Sequence, residues 1–317
     1  MSRLTRIPAA LWCLATLVAA GCAGAGSPPI SASTARDQMS RFVPAGPGWR
    51  YADGVLYHVP RYAASRSREP HIKPLYFQVP YLGGVVISAP KFYFTFWGYK
   101  KGGDPNKVEP LLEEYAKSMG GSGHNNIETQ YYEGSTGTRT YITNPAKQYG
   151  GAWNDDAAIP KTPTDPEIAA QALKAVAHFG YDPNGVYVVA TAHNHSEVGF
   201  GTNWCSYHSN TYYKKKNVVP YSYLPYMPDA GKSCGANIVK PPSDESGADE
   251  GVTIYGGHEF GEVITDPLVS TAWDGPEGEI ADQCTFDPMA NEPFGIKSYT
   301  MQSMASDADN ACVQSYP

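Results

Sequence analysis

The stretch Lys91-Phe92-Tyr93-Phe94-Thr95-Phe96-Trp97 decides the fold class. It is dense in β-forming residues and apolar at nearly every position, as a central strand buried on both faces would be. Such a strand needs helices to cover it, and the chain supplies them. Asp104 is a good N-cap and Pro105 a good first helical residue; Val108, Leu111, Leu112, Tyr115 and Met119 then follow at helical spacing until Gly120-Gly121. Asp165 caps and Pro166 opens a second helix, with Ile168, Ala172, Val176 and Phe179 on one stripe and Gly180 at its end. Val186-Tyr187-Val188-Val189-Ala190-Thr191 reads as another buried strand. Upstream, Leu75-Tyr76-Phe77-Gln78-Val79 and Val85-Val86-Ile87 read as strands joined through Gly83-Gly84.

Strand, helix, helix and strand in that order predict an α/β (α+β) fold: a central sheet with flanking helices and long disulfide-held loops. Beyond Thr191 the regularity drops. Residues 192–250 read as mostly loop, and the C-terminal stretch as irregular.

The N-terminus reads as a secretory signal over residues 1–21. Arg3 and Arg6 precede an apolar run from Ile7 to Ala20, and Ala19-Ala20-Gly21 offers small residues for cleavage. Val18-Ala19-Ala20-Gly21-Cys22 resembles a bacterial lipobox, which makes Cys22 the candidate acylated residue and membrane anchor; ordinary cleavage nearby would give a secreted protein instead. Residues 22–48, rich in Ala, Gly, Ser and Pro, read as a tether, leaving 49–317 as one folded domain. A net charge of −7 argues against nucleic acid as a partner. With Cys13 in the signal and Cys22 at the anchor, Cys205, Cys234, Cys284 and Cys312 remain, an even set suited to an oxidising compartment. Three pairings are open. Proximity favours Cys205–Cys234 and Cys284–Cys312, and no C-x-x-C spacing supports a four-cysteine zinc site.

The chemistry concentrates in Gly256-Gly257-His258-Glu259-Phe260-Gly261-Glu262-Val263-Ile264-Thr265-Asp266-Pro267. This reads as a short helix stopped at Asp266, because a residue before proline is pushed out of the α region. Positions four apart share a helix face, so His258 and Glu262 point together with Glu259 one step around. An imidazole and two carboxylates so placed suit a metal ion with a general base beside it. The competing reading is a surface helix with solvated carboxylates. Against it stand Gly256, Gly257 and Gly261, where a helix would prefer alanine and where glycine suits the close approach of a backbone or ligand.

Farther on comes Trp273-Asp274-Gly275-Pro276-Glu277-Gly278-Glu279-Ile280-Ala281-Asp282. The two segments together resemble the gluzincins, the thermolysin-like zinc peptidases, with Glu262 standing where that family has its second histidine. The resemblance implies Glu259 as general base, His258, Glu262 and Glu279 as metal ligands, and Asp282 as the partner that orients His258. It further implies a peptide or protein substrate. The seven other histidines all precede His258. Of these His208, beside Cys205, is the candidate electrophilic helper, followed by His193 and His195. The imidazole favours zinc; an oxygen-rich set including Asp266 and Asp282 is the calcium alternative.

A second resemblance rests on the order of segments: Phe94-Thr95-Phe96-Trp97-Gly98, Tyr131-Tyr132, the strand at 186–191, Gly199-Phe200…Cys205…His208, and Thr265-Asp266-Pro267…Gly278-Glu279…Asp282. This is similar to the EXORDIUM-like, phosphate-induced proteins. Plant members of that family lack the His-Glu pair, so the likeness also implies an alternative: a non-catalytic cell-envelope protein with a structural metal or none. Lys214-Lys215-Lys216 reads as a solvated loop. Tyr221-Ser222-Tyr223-Leu224-Pro225-Tyr226 reads either as a ligand groove or as packing under the disulfide-held loop.

Overall fold

The structure, a computed structural model, describes residues 78–275, 278–285 and 288–317, together with the backbone of a hairpin formed by β1 (Trp49–Ala52) and β2 (Val55–His58). The expected signal, the tether and Cys22 lie outside the described residues, as does most of the expected strand at 75–79.

Beside a short hairpin of β4 (Tyr132–Glu133) and β5 (Thr140–Tyr141), the chain forms a central five-stranded sheet in the order β6 (Tyr149–Asp155), β3 (Lys91–Trp97), β7 (Gly185–Thr191), β9 (Asn217–Leu224) and β8 (Tyr207–Tyr213). The first four run parallel, and β8 closes one edge antiparallel to β9. The run 91–97 is the central strand its composition predicts. Successive side chains point to opposite faces. Phe92, Phe94 and Phe96 join a core with α1 (Val108–Met119) and α3 (Glu250–Thr265), while Tyr93 and Trp97 join a core with α2 (Asp165–Phe179). Phe260 of α3 lies with its ring centroid 4.8 Å from that of Phe92 and 5.8 Å from that of Phe94.

Both predicted helix starts are displaced. Asp104 does cap α1, but from farther back: its carboxylate accepts the N–H of Val108 and Glu109, and Lys107 takes the left-handed conformation at φ 63. In α2 the cap is Thr164, paired with Glu167 in a capping box, so Asp165 is already helical. Val85-Val86-Ile87 is not a strand. It is an extended segment fastened to the turn after α3, with the Gly84 N–H on the Thr271 carbonyl and the Ile87 N–H on that of Ile264.

The expectation of loop over 192–250 is corrected by β8 and β9. Pro220 disguises β9, because proline in a sequence argues against a central strand. Here it precedes the pairing with β7, which starts at Tyr221. The C-terminal stretch is likewise more regular than expected. It forms two hairpins, β10 (Met289–Phe294) with β11 (Lys297–Gln302) and β12 (Met304–Ser306) with β13 (Ala311–Val313). The disulfides are Cys205–Cys234 and Cys284–Cys312, the pairing that proximity favours. No helix among the described residues is long and apolar enough to cross a membrane.

Candidate metal centre

α3 is longer than its motif suggested, and all sixteen of its residues are buried. A surface helix is therefore excluded. Its glycines answer to protein packing: a Cβ at Gly261 would meet Met304 Sδ at 2.6 Å, and one at Gly257 would overlap Met301 Cε. The C-terminal hairpins thus press directly on the helix that carries His258 and Glu262.

Helical spacing places His258 Nε2 at 3.1 Å from Glu262 Oε2, and the segment after α3 brings Asp282 Oδ1 to 3.5 Å from the same nitrogen. His258 Nδ1 lies 3.1 Å from Gln302 Oε1. The Gln302 amide nitrogen donates to the Ala281 carbonyl at 2.8 Å, which leaves its oxygen facing the ring. Nδ1 is therefore the donor in that contact, and Nε2 is turned toward the carboxylates. Burial alone would lower the pKa of His258, but Glu262 first, then Glu259 and Asp282, push it up to about 10.

His208 reaches the same place from β8. Tyr207 faces α2, so strand alternation turns His208 to the α3 side, paired in register with Ser222. Its Nδ1 lies 3.3 Å from Glu259 Oε2 and 3.7 Å from Glu262 Oε2, and its Nε2 lies 3.6 Å from Glu279 Oε1. Ser206, two residues earlier, donates its hydroxyl to Glu259 Oε1 at 2.5 Å. Glu279 is wholly buried, and among the described residues neither of its carboxylate oxygens accepts a hydrogen bond. Burial, then the carboxylates of Glu262, Asp266, Asp274 and Asp282, hold its pKa well above the usual range.

The expected residues thus converge, apart from two groups. Asp266 turns both oxygens to backbone N–H groups of Ser270, Thr271 and Ala272. It holds the turn after α3; burial raises its pKa to about 6 against those hydrogen bonds. His193 and His195 line a separate crevice at the C-terminal ends of β3 and β7. There His193 Nδ1 meets Asp229, and His195 Nδ1 meets the Pro160 carbonyl at 2.8 Å. The tyrosine run belongs to β9 and the residues just after it, with Tyr221, Tyr223 and Tyr226 buried in the packing.

Two donor triads lie within 4.8 Å internally: His208 with Glu259 and Glu262, and His258 with Glu262 and Asp282. Two ligands on opposite sides of one zinc are roughly 4 Å apart, so these donors fit a divalent ion. One imidazole nitrogen with carboxylate oxygens suits zinc or a similar transition ion better than calcium. Sequence reading missed Ser206 and Gln302. Ser206 had one signal, its position two before His208 on a strand; Gln302 had none, because its contact spans 44 residues.

No protein-family model matches this chain, and no solved structure matches it. Protein EXORDIUM-like 5 from Arabidopsis thaliana is 28% identical over an alignment of 141 residues, with 37% of this chain and 38% of that relative covered. The chain is similar to an EXORDIUM-like protein. The aligned region spans well under half the relative's length, and that name states no activity or cofactor.

Proposed function

We propose that this is an extracytoplasmic, EXORDIUM-like protein whose buried α3 cluster holds a structural divalent cation, zinc before calcium. One observation carries the reading: Glu259, Glu262, Glu279 and Asp282 gather around His208 and His258 inside the protein, as two donor triads that share Glu262. Gathering carboxylates away from water is costly unless a cation compensates them. An ion here would tie together β8, α3 and the segment at 278–285.

A structural role is favoured over catalysis by enclosure. Structural sites are closed, whereas catalytic sites keep an open position for water and substrate. His208, His258, Glu259, Glu262 and Glu279 are all 0% exposed. Two disulfides and the EXORDIUM-like relative support an extracellular setting, with lipid anchoring at Cys22 as part of the proposal. The test is elemental analysis of the purified protein, with melting temperature and general protease activity followed before and after chelation. Bound metal and a fall in melting temperature without proteolysis are expected. A metal-free protein whose melting is unmoved by chelator or added zinc would end the reading.

The second reading is a zinc-dependent peptidase with Glu259 as base, favoured by Glu259 lying in one triad with His208 and Glu262. Zinc would supply Lewis acidity. Glu259 would take the proton from water, His258, Glu262 and Glu279 would bind the ion, and His208 would stabilise the oxyanion. Glu259 Oε1 already accepts the Ser206 hydroxyl, which leaves Oε2 as the oxygen to take that proton. Chelator-sensitive proteolysis abolished by Glu259→Gln would favour this reading over the first.

A further inference from the structure

We propose that the cluster is built for two divalent cations, bridged by Glu262. The inference rests on the cation-site reading above and assigns its residues differently from a one-ion peptidase centre.

The side chains fall into two half-sites of the same plan. The first has His208 Nδ1 facing Glu259 and Glu262; the second has His258 Nε2 facing Glu262 and Asp282. Glu262 is the one member they share. Its Oε2 lies 3.7 Å from His208 Nδ1 and 3.1 Å from His258 Nε2, between two imidazoles that arrive from different elements, β8 and α3. Carboxylates that bridge paired ions about 3.5–4 Å apart are a recurring arrangement.

The far nitrogen of each imidazole supplies a second, independent argument. A metal-bound histidine usually turns its other ring N–H to an acceptor that fixes the tautomer. Both rings do so. His208 Nε2 faces Glu279 Oε1 at 3.6 Å, and His258 Nδ1 faces Gln302 Oε1 at 3.1 Å. Glu279 is completely buried, and among the described residues neither of its carboxylate oxygens accepts a hydrogen bond. In this assignment Glu259 and Asp282 are ligands, whereas Glu279 and Gln302 are positioning residues behind the two rings.

The test is stoichiometry. The full chain is loaded with zinc chloride, freed of excess by gel filtration, and its zinc per chain is measured by elemental analysis. A parallel titration with cobalt(II) chloride is followed by visible absorption. Wild type should hold two ions and Glu259→Gln or Asp282→Asn one, with folding checked by near-ultraviolet circular dichroism. The wild-type count decides by itself should a variant not fold. A variant that loses both ions also supports the proposal, because the half-sites share Glu262. One ion in wild type overturns the two-ion inference and leaves the cation site standing. None overturns both, and two ions that survive every substitution place the metal elsewhere and overturn this assignment.

Discussion

Gln302 stands behind His258, with its side-chain oxygen 3.1 Å from the ring Nδ1 and its amide nitrogen held by the Ala281 carbonyl at 2.8 Å. One glutamine on β11 therefore sets which ring nitrogen of a histidine on α3 faces the carboxylates. Because the amide is anchored to the segment that carries Asp282, it also couples the positions of two candidate ligands.

Gln302→Leu should accordingly weaken zinc binding by about 10–100-fold, the range for loss of a group that orients a ligating histidine. It also leaves His258 Nδ1 without its buried acceptor, at a cost of about 1–3 kcal/mol. Competition against a zinc-sensitive dye measures the first effect and urea unfolding the second. Unchanged zinc affinity in a folded variant would remove Gln302 from the site.

Stability should depend on metal concentration. An ion held at a thousandfold above its dissociation constant stabilises by about 4 kcal/mol, equivalent to roughly 10 °C in melting temperature for a domain of this size. Calorimetry across a chelator series should show that shift and its reversal by added zinc. A melting temperature indifferent to both would contradict a structural ion.

The Cys284–Cys312 bridge should serve the centre as well as the fold. Cys284 ends the short turn Asp282–Cys284, which begins with a candidate ligand. The bridge closes a loop with a sequence separation of 28 residues, so Cys284→Ser with Cys312→Ser should cost roughly 3–4 kcal/mol. The loosened Asp282 should also weaken zinc. If stability falls while zinc affinity holds, Asp282 is positioned by its other contacts alone.

How much of this was legible depends on how far each contact reaches along the chain. β3, β7 and the apolar stripes of α1 and α2 follow periodicities of a few residues, and the run at 91–97 foretold a strand covered on both faces. β8 escaped because its residues are polar: His208, Ser209 and Asn210 belong to an edge strand, where the pattern reports a site more than a core. In the centre, His258, Glu259 and Glu262 announce themselves by helical spacing. That Glu279 and Asp282 belong beside that helix was readable only through resemblance, and the place of Gln302 only through the fold that brings β11 to α3.

Acid sensitivity should arise partly from His124, away from the centre. The ring is buried, with Nδ1 on the Gln314 carbonyl at 2.9 Å; burial lowers its pKa from 6.5 to about 4, against the opposing pull of that carbonyl. A depressed histidine favours the neutral ring in the folded state, while the unfolded chain takes up a proton near pH 6.5. Its contribution is therefore complete above pH 6.5 and is lost as pH falls toward 4, by about 3 kcal/mol in all. His124→Gln keeps a polar group but cannot charge. The stability gap between wild type and variant, measured by urea unfolding, should favour wild type at pH 7.5 and shrink by about that amount at pH 4. Titration of the carboxylate cluster is common to both proteins and cancels in the difference. A gap constant across this range would mean that the ring at 124 is open to protons in the folded protein.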